Sequence, residues 1–402
     1  YKVIRRSSQQ FRAIKELLHR KDINQVIIAT DAGREGELVA RLIMRLGGWK
    51  GEYKRLWISS QTDSAIKAGF AGLKPGKAYD NLFHAAECRA EADWIVGLNI
   101  SRALSCKFDA RLSAGRVQTP TLAMIVTREK EIKGFVPVPY WTVSADLGMF
   151  TGLWQSPNGN SRISNDKAAG DIAAKVSGKS GVIISVDRKK KSEPPPLAFD
   201  LTALQREANV QLGFSARKTL QVLQGLYERH KYATYPRTDS RHITEDMEPT
   251  LPARLQAITN TPFGGTVSQI RKKPIKPGKR FIDGSKVSDH HAIIPTEEPV
   301  DLSRLDADER SLWTMIARRF LAVLSPPYLY ETTKLIVEIN GERFAAHGSS
   351  VTDPGWRRVE SYRADSGGEE IHEQTLGKRE KGETVIAEKV KAKQSFSKPP
   401  AR

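Results

Sequence analysis

Cysteine is almost missing from this chain: 402 residues include two, Cys88 and Cys106. Two thiols are too few for a zinc site and suggest no disulfide framework, so a reducing, cytoplasmic setting is expected. No stretch approaches about eighteen uncharged apolar residues, so no membrane-spanning helix is expected and no membrane partner. The first residues, YKVIRRSS, carry no Met and no charged-then-apolar leader. We therefore expect no signal peptide, and a chain that begins inside a longer protein. An ATP-binding phosphate loop is absent too: the nearest stretch, GLKPGKA (72–78), has the wrong glycine spacing and no Ser or Thr after Lys77. Acid is the last shortage. Forty-six Asp and Glu face 64 Lys and Arg, for a net charge of +18 and a pI near 9.8.

That excess favours a polyanionic partner. Basic clusters recur at RKKPIKPGKR (271–280), DRKKK (187–191), and Arg111 with Arg116. Any one of them reads equally well as a solvated loop. Their distribution favours nucleic acid over an acidic membrane surface, because no amphipathic basic helix accompanies them. The length allows two to four domains, and 39% hydrophobic residues is ordinary for globular protein.

Residues 24–47, INQVIIATDAGREGELVARLIMRL, read as strand, loop and helix. An apolar run (Val26 to Ala29) leads to Asp31, and Leu38, Val39, Leu42, Ile43 and Leu46 follow at helical spacing. Residues 67–138 read as helical, with a second helix expected to open at Thr119 as cap and Pro120 at its first position. YWTVSADL and GVIISVDR alternate as strands, and SEPPPLAF (192–199) reads as a stiff linker. Helical patterns return over 199–330. TTKLIVEINGERFAAHG then resumes strands around Asn340–Gly341, a strong hairpin signal.

Asp31 falls at the carboxyl end of a strand, where open α/β sheets bind ligands, and Glu35 opens the following helix. Two carboxylates with water make a reasonable partial shell for Mg²⁺. Glu37, ~200° around the helix from Glu35, is not expected to share that ion. The acids could equally serve only to favour the helix amino terminus. In TYPRTDS (234–240), an extended segment would put Arg237 on the same side as Tyr235. A planar guanidinium there could grip a phosphodiester, and Pro236 stiffens the geometry. A phenol with a pKa near 10 needs such help to act as a nucleophile. Alone, the stretch also reads as a tyrosine packed under a polar turn. SDHHAIIPT (288–296) offers His290 as a phosphate donor or proton relay, with His291 pointing elsewhere. A structural histidine is the competing reading.

In combination these features resemble the type IA DNA topoisomerases, over essentially the whole chain. ATDAGREGELVARLI resembles their Toprim acidic motif, and LSAGRVQTPTLAMIVTREKEI their helix-opening DNA-contact segment. PPPLAFDLTALQREAN, LYERHKYATYPRTDS and SDHHAIIPT resemble the segments around the active-site tyrosine. DAGREGE and YPRTDS point to the topoisomerase III branch.

The resemblance implies a multidomain α/β plus α+β fold arranged as a toroid. Its parts would be a partial Toprim domain (1–66), a helical DNA-binding domain (67–138) and a β arch (139–198 and 331–395). An inserted helical domain with the tyrosine (199–330) and the start of a return to the helical domain (396–402) complete it. Tyr235 would attack a single strand to form a 5′-phosphotyrosyl bond, Arg237 would hold the scissile phosphate, and His290 would assist. Asp31 and Glu35 would position Mg²⁺, needed mainly for rejoining. Arg116 and Gln118 match the SAGRVQ motif, with Arg116 on a phosphate; Arg111 and Gln205 are further expected DNA contacts. The implied partner is single-stranded or negatively supercoiled DNA, with a helicase as a possible second, and a monomer is expected.

The sequence departs from the family pattern in two ways. The acidic motif usually carries another Asp two positions after the first, and here Gly33 stands there. The chain also looks trimmed at both ends: the first Toprim strand, with its acid–base glutamate, is expected upstream of Tyr1, and no zinc modules follow SKPPAR. The competing reading is therefore a torso that grips single-stranded DNA without completing a catalytic cycle. A tyrosine recombinase is disfavoured, because it does not call for the acidic turn.

Overall fold

In a computed structural model of the chain, the described residues are 1–272, 275, 277–360, 374 and 376–401. Lys273, Pro274 and Lys276 of the basic run, part of the segment 331–395, and Arg402 lie outside them. The chain forms two compact units, Tyr1–Arg116 with Pro195–Ser325, and Val117–Pro194 with Pro326–Arg402. The proline-rich stretch SEPPPLAF contains the junction at Pro194 and Pro195.

In the first unit, strands Gln25–Ile28 and Glu52–Arg55 pair in parallel, joined through the helix Arg34–Gly47. A parallel pair needs such a crossover. Lys74–Pro75 adds a short antiparallel edge. The helix buries Ala40 and Met44 against Ile28, and Leu38 against Phe83 and Ala86 of the helix Asp80–Phe108. It stops at Gly48, whose φ of 80° is the left-handed conformation that glycine adopts without a Cβ penalty.

Residues 195–325 of the same unit are mainly helical. Leu201–Leu212 is capped by Asp200, Ala216–Glu228 by Ser215, and Ala307–Val323 by a capping box of Asp306 and Glu309. The last of these helices is the centre of the packing: Leu312, Trp313, Ala317, Leu321 and Ala322 are wholly buried. Single bridges Phe199↔Ile293 and Ala233↔Pro295 lay the tyrosine segment beside the histidine segment.

Among its described residues, the second unit is a sheet with two α-helices. Its described strands run in the order Lys389–Phe396, Pro139–Asp146, Thr151–Gln155, Glu342–Asp353, Tyr328–Ile339, Ser180–Glu193, Thr384–Ile386. Every neighbouring pair is antiparallel. Val143, Ile183, Leu335, Val337 and Phe344 form its core, with Ala169 and Val176 of the helix Asp166–Val176. Asn340 and Gly341 make the expected hairpin turn with φ of 50° and 81°, as a tight two-residue loop requires.

One expected boundary is corrected. The helix containing Pro120 is Gln118–Lys133, with Val117 at its cap, so Thr119 is the second helical residue and not the cap. Proline fits there because the first-turn N–H groups have no partner within the helix.

Candidate active site

The acidic turn is built by a buried ion pair. Glu37 and Arg55 have no exposed side-chain surface, and Glu37 Oε2 lies 3.0 Å from Arg55 Nε. The contact is off the N–H axis, so it is an ion contact and not an aligned hydrogen bond. Arg41 adds a bond to the other Glu37 oxygen at 2.7 Å. Arg55 spends its remaining donors on backbone: Nη1 donates to the carbonyls of Ile28, Thr30 and Leu56 at 3.1, 2.8 and 2.8 Å. Nη2 donates to the carbonyl of Asp31. Thr30 Oγ1 donates to Gly36 O at 2.8 Å, and a Cβ at Gly36 would stand 2.2 Å from Asp31 O. The helix can close on the turn only because residue 36 has no side chain.

The tyrosine segment is fixed by its threonines and serines. Thr234 N–H donates to Ile294 O, and its hydroxyl both donates to Ala292 O and accepts from Ile294 N–H, all at 3.0 Å. Thr238 Oγ1 donates to His290 O at 2.8 Å, and Ser288 Oγ to Asp239 at 2.7 Å. TYPRTDS and SDHHAIIPT are thereby held side by side.

Tyr235 is half-buried between two rings: His290 at 4.1 Å and Tyr227, edge-on, at 5.5 Å. Burial pushes its phenol above the ordinary value, the Asp31 charge adds to that rise, and the Arg237 charge opposes it. Arg237 itself is exposed. The His290 Nε2 is shielded from solvent, has no hydrogen-bond partner, and lies 3.5 Å from Asp31 Oδ1, too long for a bond. His291 faces elsewhere. Its Nδ1 lies 2.9 Å from Ala292 O, and burial pulls its imidazole down to about 4, so it is neutral at pH 7.

The structure thus brings Tyr235, His290 and Asp31 together, with the Arg237 charge acting on the phenol. Glu35 is not part of that group: its side chain is 65% exposed and pairs with Arg89 at 2.8 Å and Arg34 at 3.8 Å. Arg116 makes a two-pronged pair with Asp93 at 2.7 and 3.0 Å. Arg111 and Gln118 are exposed, and Gln205 donates to Ala216 O at 3.0 Å. Among the described residues no set of three or more His, Cys, Asp or Glu could hold a metal ion. What fits Mg²⁺ is smaller: hard carboxylate oxygens at Asp31 and, unforeseen in the sequence, at Asp289, whose carboxylate packs against Gly33. Arg55 and Glu37 were also missed. A glutamate on the core side of an amphipathic helix was the one available signal for that pair.

A family model described as DNA topoisomerase matches residues 77–402. DNA topoisomerase 3 of Bacillus subtilis (strain 168) is 50% identical over 402 residues, and that of Bacillus licheniformis 49% over 401. The chain belongs to the type IA DNA topoisomerase family. It aligns along its full length with both of these topoisomerases, yet spans only 55% of theirs. Full-length topoisomerase I from Thermotoga maritima is similar in structure, with a TM-score of 0.73 at 26% identity, covering 100% of this chain and 64% of that one. The likeness to a solved topoisomerase covers both units, and the mixed α/β content agrees with it.

Proposed function

We propose that this chain carries the strand-cleaving centre of an ATP-independent type IA topoisomerase acting on single-stranded or negatively supercoiled DNA. The Tyr235 oxygen attacks a backbone phosphorus. The P–O3′ bond breaks, the phenolic proton leaves, the freed 3′ oxygen gains a proton, and a 5′-phosphotyrosyl bond remains. One phosphoester replaces another, so the reverse attack by the 3′ hydroxyl rejoins the strand without a nucleotide. Arg237 binds the phosphate and stabilises the charge that builds on it. Mg²⁺, held through Asp31, would supply positive charge that aligns the strand for rejoining. Arg116, Gln118, Arg111 and Gln205 are DNA contacts in the same reading. Arg116 would exchange Asp93 for phosphate. The four-part domain scheme belongs to this reading as well.

The observation that carries it is the shielded, unpartnered Nε2 of His290, on a ring lying against Tyr235 and next to Asp31. A buried polar atom without a partner is uncommon and calls for one. A phosphate oxygen at the phenol supplies it. The test is single-stranded DNA labelled at its 3′ end, incubated with the native chain and with Tyr235→Phe, then denatured. Label should travel with the native protein only. Binding without transfer by the native chain would refute cleavage. It would favour the second reading, a DNA-holding torso, which the 55% span of the relatives makes specific.

A further inference from the structure

We infer that Asp289 supplies, from a distant segment, the carboxylate that residue 33 lacks, and with Asp31 completes the cation-binding pair of the acidic turn. The inference deepens the reading above and rests on its cation at Asp31. A Cβ built on Gly33 falls 2.1 Å from Asp289 Oδ2 and 2.3 Å from its Cγ and Oδ1. The Asp289 carboxylate therefore occupies the space into which a side chain at 33 would project. Gly33 has φ −156° and ψ 177°, an extended conformation open to any residue. Its missing side chain thus serves no backbone need; it makes room.

Among the described residues no hydrogen bond or ion pair holds the Asp289 carboxylate in that room, although it is half-buried. Asp31 likewise has only the loose 3.5 Å approach of His290. The Asp31 and Asp239 charges act against the Asp289 carboxylate, with the Arg34 guanidinium opposing them, and neighbouring carboxylates repel unless a positive charge lies between them. A hard divalent cation taking two carboxylates and keeping several waters matches that need. Glu35, committed to Arg89, is then unnecessary to the pair. The arrangement also ties the cation to the nucleophile, since Asp289 adjoins His290, whose ring lies against that of Tyr235 at 4.1 Å.

The experiment is Mn²⁺ binding to the full 402-residue chain, read by the loss of the free-ion electron paramagnetic resonance signal. Native protein, Asp31→Asn, Asp289→Asn and the relocated pair G33D/D289G are compared. Asp289→Asn and Asp31→Asn should each weaken Mn²⁺ roughly tenfold or more, and the relocated pair should return to within about threefold of native. Binding by Asp289→Asn within about twofold of native, or no Mn²⁺ bound by the native chain, overturns the inference. Should Asp289→Asn melt well below native, the relocated pair decides: restored binding supports the inference and absent binding overturns it. Failure of the cleavage reading is separate. It shows as no 3′-label on the native protein while the Mn²⁺ pattern stands.

Discussion

Arg55 is the residue on which the acidic turn depends most, and Arg55→Met tests that. The side chain is fully enclosed, pairs with an equally enclosed Glu37 at 3.0 Å, and donates to four backbone carbonyls. Methionine replaces the aliphatic stem but stops about two atoms short of the guanidinium end, leaves Glu37 with Arg41 alone and removes every one of those donors. The carbonyls of Ile28 and Asp31 keep backbone partners in Leu56 N–H at 2.9 Å and Gly33 N–H at 2.8 Å. The carbonyls of Thr30 and Leu56 lose their Arg55 donor. Breaking a buried pair by removing one member costs about 3–5 kcal/mol. With a typical domain stability of about 5–15 kcal/mol, that is a large fraction of the whole. Urea unfolding followed by tryptophan fluorescence measures it, and Trp57, 5.0 Å from the Arg55 guanidinium, reports locally. Arg55→Lys should fall between, since one ammonium keeps Glu37 but cannot span converging carbonyls. A loss under about 1 kcal/mol for Arg55→Met would refute the reasoning, because an isolated buried pair replaced by apolar volume can be neutral. The claim is that this pair is not isolated.

His291 makes stability depend on pH. Its folded pKa, about 4, lies below the ordinary 6.5, so the neutral form is favoured in the fold. Its contribution is complete above 6.5 and is lost as pH falls towards 4, by up to roughly 3 kcal/mol. Denaturant unfolding at a series of pH values should show that slope in the native chain and a flatter one in His291→Gln; equal slopes would remove His291 as the cause. Asp306→Ala should cost about 1 kcal/mol by opening the capping box of the Ala307–Val323 helix, with Asp306→Asn milder. Unchanged unfolding midpoints for Asp306→Ala would mean that packing alone sets that helix start.

Much of the local structure was legible because local rules suffice for it. The strand before Asp31 followed from an apolar run, the helix after it from spacing, and the hairpin from Asn340–Gly341. The start of the Gln118–Lys133 helix was missed by a residue or two, as first-turn rules tolerate proline at more than one position. Tyr235 was ambiguous by itself. Its partner His290 is 55 positions on, and only matching segments of known order could suggest that the two belong together.

The parts that stayed illegible share a physical cause. Glu37 reads as one more acid in a helix first turn, a place where acids are ordinary. Its burial becomes visible only when Arg55, on the neighbouring strand, is seen to answer it. Asp289 and Gly33 are harder still, because the signal at 33 is a space. Patterns of sequence weigh side chains, so a glycine in an acidic motif reads as a carboxylate lost. In the fold the same glycine admits a carboxylate from 256 residues away. A donor set counted along one segment then undercounts the site. The pair G33D/D289G is then the sequence that makes it legible again.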